Sequence, residues 1–163
     1  MKPGTVAVRS AIAAMALSAV GYVSITKQED FRAAAYLPTP HDVYTLGFGS
    51  TEGVRQGDTI TVPKALARAL SDVQKFEGVL KKCVRVPLHQ HEYDAFISLA
   101  YNIGTSAFCG STLVAKLNAG DYEGACLEIK RWNRQGNTVL PGLVKRRQDE
   151  YEQCTGRRDG ERA

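Results

Sequence analysis

Acidic residues are missing from the first 27 positions, where Lys2, Arg9 and Lys27 are the only charges. Cysteine is missing from the same stretch, which excludes control by a thiol there. Metal-ligand patterns are scarce throughout: there is no Cys-x-x-Cys pair, and His41, His89 and His91 are the only histidines. That argues against zinc, and no metal and no cofactor is expected. His89 and His91 stand two apart, about 200° around a helix, so they are expected to be surface histidines unable to share an ion. The glycine-rich turn Gly47-Phe48-Gly49-Ser50 has neither the lysine nor the spacing of a phosphate loop, and tight strand packing is expected. Internal repeats are absent, and between Arg9 and Lys27 lies an uncharged run, Ser10–Thr26, of 17 residues.

What remains is an ordinary folded composition. The 163 residues are 44% hydrophobic and 23% charged, enough for one domain or two small lobes sharing a core. The net charge of +4 suits an anionic surface without selecting one, and no nucleic-acid partner is expected. Four cysteines, Cys83, Cys109, Cys126 and Cys154, fit two disulfides in an oxidising compartment. Of the three possible connectivities, Cys83–Cys109 with Cys126–Cys154 is expected.

The uncharged run Ser10–Thr26, read as a helix, would be about 25 Å long, against about 30 Å for a bilayer core. It is also mild, since alanine, serine, glycine and threonine fill most positions. The composition disfavours a permanent anchor, and a cleaved signal peptide would carry a more compact leucine core. Weak insertion followed by exit is the reading preferred over cleavage, with a soluble buried helix last. Each exported version leaves Lys2 and Arg9 inside.

Further along, Thr61 is expected to cap a helix over 62–81 with Pro63 in its first turn. Leu66, Leu70, Val73, Phe76 (or Glu77) and Leu80 form its apolar stripe. A second helix is expected over 89–103, stopped by Gly104. Ser111, Asp121 and Pro141 open three more. Strand signal is confined to about 35–50. In the run Lys145-Arg146-Arg147 a solvated face is the common case, but one arginine can instead reach a buried carboxylate.

Glu29 draws notice through its surroundings: Arg32, Ala33, Ala34, Ala35, Tyr36, a turn with Pro38 and Pro40, then Thr45. An alanine-rich face can bury a carboxyl beside an aromatic ring, and burial keeps a carboxyl protonated, as a proton donor requires. The pattern Glu29-x-x-Arg32-x-x-Ala35-Tyr36, then Thr45-Leu46-Gly47-Phe48-Gly49-x-Thr51, resembles the phage-type lysozymes of glycoside hydrolase family 24. The resemblance continues through AFISLAYNIGTSAF, STLVAKLNAGDYEGAC, RW and GLVKRR, roughly residues 28–154. The N-terminal run resembles the signal-arrest-release segment of endolysins from phages of Gram-negative hosts.

The resemblance implies an α+β lysozyme-like fold: a small N-terminal lobe with a β-hairpin, a connecting helix, a larger all-helical C-terminal lobe, and an N-terminal hydrophobic helix. It implies three regions: 1–27 as the signal-arrest-release segment, 28–155 as the catalytic domain and 156–163 as a disordered tail. It implies a muramidase cutting the β-1,4 bond between N-acetylmuramic acid and N-acetylglucosamine, with Glu29 as general acid and Thr45 holding water. The family aspartate falls at Pro38 or Thr39 here, depending on the end counted from, so Asp42 is expected as the second carboxylate. Asp30 is a poorer candidate. In a regular strand Asp42 and Thr45 face opposite sides, so they meet only if the turn is irregular. The alternatives are a lytic transglycosylase, which needs no aspartate, and a non-catalytic, membrane-tethered wall-binding protein. The implied partners are peptidoglycan and, through residues 10–26, the inner membrane, with a holin or pinholin acting only indirectly. The implied state is a monomer, on the periplasmic side of the host inner membrane and then in the periplasm.

Overall fold

The computed structural model describes residues 8–157. Lys2, and residues 158–163 of the expected tail, lie outside them. The described residues form an α+β fold with seven α-helices and two small antiparallel sheets. Contacts divide the chain into two units: Ala19–Lys75, and the residues up to Ser18 together with those from Phe76 onward.

The unit Ala19–Lys75 contains α1 (Ala19–Gln28), β1 (Arg32–Tyr36), β2 (Thr45–Gly47) and most of α2 (Val62–Cys83). β1 and β2 pair with Arg32 opposite Gly47 and Tyr36 opposite Thr45, so β1 carries a bulge. The bulged stretch pairs instead with the loop before α2: Ile60 N–H donates to the Ala33 carbonyl and Ala35 N–H to that of Asp58, each at 2.9 Å. Gly47 is required twice over. Its φ is +66°, and a Cβ there would stand 3.0 Å from the Ala65 Cβ. Tyr22 Oη donates to the Leu66 carbonyl at 2.5 Å and ties α1 to α2.

The expected stripe of α2 is displaced by about one residue. Its buried positions are Ala65, Ala69, Val73, Glu77 and Leu80, while Leu70 is 43% exposed. Small alanines at the first two positions let the β2 backbone approach, and bonding rather than greasiness decides the fourth: Glu77 accepts from Tyr93 Oη at 2.8 Å and from Leu17 N–H at 2.6 Å.

In the other unit α3 (Gln90–Ile103) is the central helix, with every residue from Glu92 to Ala100 buried. Gly104, at φ +86°, closes it, as expected. Around it lie α4 (Thr105–Cys109), α5 (Thr112–Asn118), α6 (Tyr122–Glu128) and α7 (Pro141–Cys154). Ser111 Oγ accepts from Val114 N–H at 3.3 Å and Asp121 Oδ1 from Gly124 N–H at 2.9 Å, so both expected caps form. Disulfides Cys83–Cys109 and Cys126–Cys154 tie α2 to α4 and α6 to α7, the pairing expected. Arg147 is buried and donates to Glu150 Oε2 at 2.5 Å, Arg146 to Glu150 Oε1 at 3.3 Å, and Ser98 Oγ on α3 to the same oxygen at 2.7 Å. The arginine run thus does reach a buried carboxylate, and its Lys145 pairs with Asp149 at 2.9 Å.

Three sequence expectations need correction. The hairpin β3 (Arg134–Gln135) and β4 (Thr138–Val139) was outside the strand signal, because two-residue strands are too short for any periodicity. Its cue is the turn Gly136-Asn137, with Gly136 at φ +57°. The histidine pair does come together: His89 is the extended N-cap of α3 rather than a helical residue, and its ring stacks on His91 at 5.2 Å. Both are half-buried, and burial lowers the His89 pKa. Finally, the N-terminal run is not one helix. Residues 12–14 form a single 3-10 turn, 15–18 belong to no helix or strand, and the α-helix begins at Ala19. No helix among the described residues is long and apolar enough to cross a membrane. Between Arg9 and Ser18, backbone groups bond side chains and strand partners from elsewhere in the fold, which competes with helix formation.

Candidate functional site

Glu29, Asp42 and Thr45 all belong to the unit Ala19–Lys75. Glu29 follows directly on α1, and β1 begins three residues later. Its side chain is half-buried rather than enclosed, because the alanine run after it does not form a cover: Ala33 and Ala34 are exposed and Tyr36 is 37% exposed. The backbone of that run is engaged by residues 58–60, which holds its small side chains outward. The start of β1 is fixed by Phe31, whose ring lies 5.4 Å from that of Phe48 in the turn after β2.

Thr45 opens β2 and is 6% exposed. Its hydroxyl donates to the Val43 carbonyl at 3.2 Å, which fixes the rotor and leaves its oxygen lone pairs for a further donor. Leu46 and Ser50 exchange backbone hydrogen bonds of 2.9 and 3.1 Å, and Ser50 Oγ donates to Asp72 Oδ2 at 2.5 Å, so the end of β2 is anchored to α2. The glycine turn is therefore a packing device, as its sequence suggested.

Asp42 lies in the exposed link between the strands, in a turn closed by Asp42 N–H to the Thr39 carbonyl at 3.0 Å. Its Oδ1 accepts from Val43 N–H at 3.1 Å and its Oδ2 from Thr39 Oγ1 at 3.5 Å. The connection is irregular, as the two prolines imply. It brings Asp42 and Thr45 to one residue: Val43 gives its N–H to the first and its carbonyl to the second. Among the described residues no hydrogen bond joins the two directly. Asp30 is exposed. The unit thus offers a half-buried carboxyl and a buried, oriented hydroxyl on one braced hairpin, with an exposed carboxylate in its loop. Such a set can give a proton to an oxygen and hold a water.

A second concave surface was not legible in the sequence. A cavity of about 300 Å³ is lined by residues that include Ser111, Glu128, Arg131 and Trp132. Its carboxylate is already paired, with Lys116 at 2.7 Å and Arg131 at 2.8 Å. Among the described residues no group of three or more histidine, cysteine, aspartate or glutamate side chains is placed to hold a metal ion.

A family model described as phage lysozyme matches residues 26–150. An endolysin of Acyrthosiphon pisum secondary endosymbiont phage 1 is 42% identical over 140 residues, covering 83% of this chain and 95% of the relative. A SAR-endolysin of Enterobacteria phage P21 is 30% identical over 144 residues, covering 86% and 87%. Among solved structures, the muramidase domain of SpmX from Asticaccaulis excentricus superposes with a TM-score of 0.80 at 28% identity, over 85% of this chain and 97% of that one.

Proposed function

The chain belongs to the phage lysozyme family, and we propose that Glu29, Thr45 and Asp42 are the residues with which it works. The activity is that of an endolysin: a muramidase hydrolysing the β-1,4 bond between N-acetylmuramic acid and N-acetylglucosamine in peptidoglycan. In this reading Glu29 protonates the leaving glycosidic oxygen. Thr45, its hydroxyl proton committed to the Val43 carbonyl, accepts a hydrogen bond from the attacking water. Asp42 supplies negative charge as positive charge grows on the sugar ring, or takes the proton from that water. The observation that carries the proposal is the braced hairpin: a half-buried carboxyl three residues before β1 and a buried threonine opening β2, inside the span that matches the family.

The second reading, a lytic transglycosylase, draws on the exposure of Asp42 and its bonds back to its own loop. Transglycosylation closes the muramyl ring internally and needs no water and no second carboxylate. Mass spectrometry of digested peptidoglycan separates the two. Reducing muramic ends are expected, and 1,6-anhydromuramyl ends would replace the hydrolase.

Residues 1–27 act in this proposal as a signal-arrest-release segment, 28–155 as the catalytic domain and 156–163 as a tail. Residues 10–26 sit weakly in the inner membrane on export and leave it when the membrane potential collapses. The enzyme then works in the periplasm as a monomer. The SAR-endolysin relative supports this reading, as does the mild composition of the segment.

A further inference from the structure

Residues 9–18 lie against the helices of the unit that begins at Phe76, and the contacts are unusual in kind. Three carboxylates, those of Glu77, Glu92 and Asp94, hold Arg9, Leu17 and Ser18. Arg9 forms a fork on Glu92, Nη2 to Oε1 at 2.7 Å and Nε to Oε2 at 3.1 Å, with its guanidinium 3.6 Å from the centre of the Tyr122 ring. Leu17 N–H donates to Glu77 Oε1 at 2.6 Å. Ser18 N–H and Oγ donate to the two oxygens of Asp94 at 3.1 and 2.5 Å. Ser10 and Leu88 exchange backbone hydrogen bonds of 2.8 and 2.9 Å, and Gln90 Nε2 donates to the Ala16 carbonyl at 2.9 Å.

Glu77, Glu92 and Asp94 are 8%, 3% and 4% exposed. Buried carboxylates are unfavourable unless charge or hydrogen bonds compensate them. Without residues 9–18, few of their donors remain: Tyr93 Oη on Glu77, His89 N–H on Glu92 and Gln90 Nε2 on Asp94. The geometry points to a latch: these three carboxylates are a receptor for the chain's own released N-terminal segment, and Arg9 is its key. This inference rests on the reading that residues 10–26 first occupy the membrane. In that state Arg9 flanks the segment on the cytoplasmic side and cannot reach Glu92 on the exported domain. The same cation therefore opposes exit while it is inside and favours the released state once it has crossed. Reinsertion then has to break a fork and take donors from three buried acids, so release runs one way.

The test uses the full chain, as wild type, as E92Q with D94N, and as R9K, which keeps the cytoplasmic positive charge but loses the fork. Hydrogen exchange of the soluble protein should find the Leu17 and Ser18 amides protected in wild type and the Ser18 amide, whose acceptor is Asp94, about tenfold faster in the double variant, the factor a charge-assisted hydrogen bond typically carries. After depolarisation of expressing cells, the ratio of membrane-held to released protein should rise about tenfold in both variants. Unprotected amides at 17 and 18 in wild type overturn the latch. So does faster exchange with an unchanged ratio, which leaves membrane release standing. Wild-type protein found free of the membrane before depolarisation overturns the membrane reading itself, whatever the exchange data give.

Discussion

Glu29 and Thr45 are ordinary residues in the positions the hairpin gives them. The carboxyl leaves the end of α1 into a half-open setting, and the hydroxyl is locked by one carbonyl. If Glu29 is the proton donor, Glu29→Gln should cut turnover on purified peptidoglycan by about 10²–10⁴. Activity within a few-fold of wild type would remove it from that role. Asp42→Asn probes the remaining assignment: a large loss marks the second carboxylate, while a small one moves the weight to water held by Thr45. Glu29 and Thr45 were legible as candidates because they stand in a recognisable spacing. The posture of Asp42 was not, because a loop's path is set by local bonds such as Thr39 to Asp42 that leave no periodic trace.

At the scale of elements, buried polar networks fasten the helices. Ser98 on α3 and Arg146 and Arg147 on α7 converge on Glu150, which is 1% exposed. Glu150→Ala should lower stability by about 3–5 kcal/mol in denaturant titration, because it strands the buried Arg147 charge. Between α5 and the short turn after α6, hydrogen bonds from Lys116 and Arg131 hold the Glu128 carboxyl below its usual value of 4.5. A depressed folded pKa means that the unfolded chain binds the proton more tightly. The stabilisation is therefore complete above about pH 4.5 and is lost as the pH falls through the lowered value. Thermal melts of Glu128→Gln against wild type should converge toward acid pH and separate at neutrality. Helix extents and caps were readable from sequence, as Ser111, Asp121 and Gly104 demonstrate. The buried face of α2 was legible only in part: Val73 and Leu80 are buried as expected and Glu77, the alternative to Phe76, takes the fourth place, but Ala65 and Ala69 stand where Leu66 and Leu70 were expected. That choice belongs to the partners: alanines where β2 approaches, and a carboxylate where Leu17 and Tyr93 donate.

For the whole molecule, the two disulfides close loops with sequence separations of 26 and 28 residues. A loop of that length restricts the unfolded chain by about 3 kcal/mol or slightly more. An exported enzyme gains this stabilisation only after leaving the reducing cytoplasm. In the proposed release the N-terminal segment meets two environments, and its mildness suits both. Ala13 and Ala14 are exposed in the folded form. Leucines at both positions should strengthen membrane residence without disturbing packing, so lysis after induction should be delayed while the purified enzyme keeps its specific activity. Unchanged lysis timing would count against release as the control step.

The sequence by itself determined the family, the α+β order of elements and the helix caps at Ser111, Asp121 and Gly104. Each is carried by local chemistry or by spacing along the chain. Only the tertiary structure decided where the first described residues go. A weakly apolar run has no strong preference between bilayer, helix and strap, so its conformation is set by what it meets. Here it meets Glu77, Glu92 and Asp94, whose burial demands donors, and it unwinds from Arg9 to Ser18 to supply them.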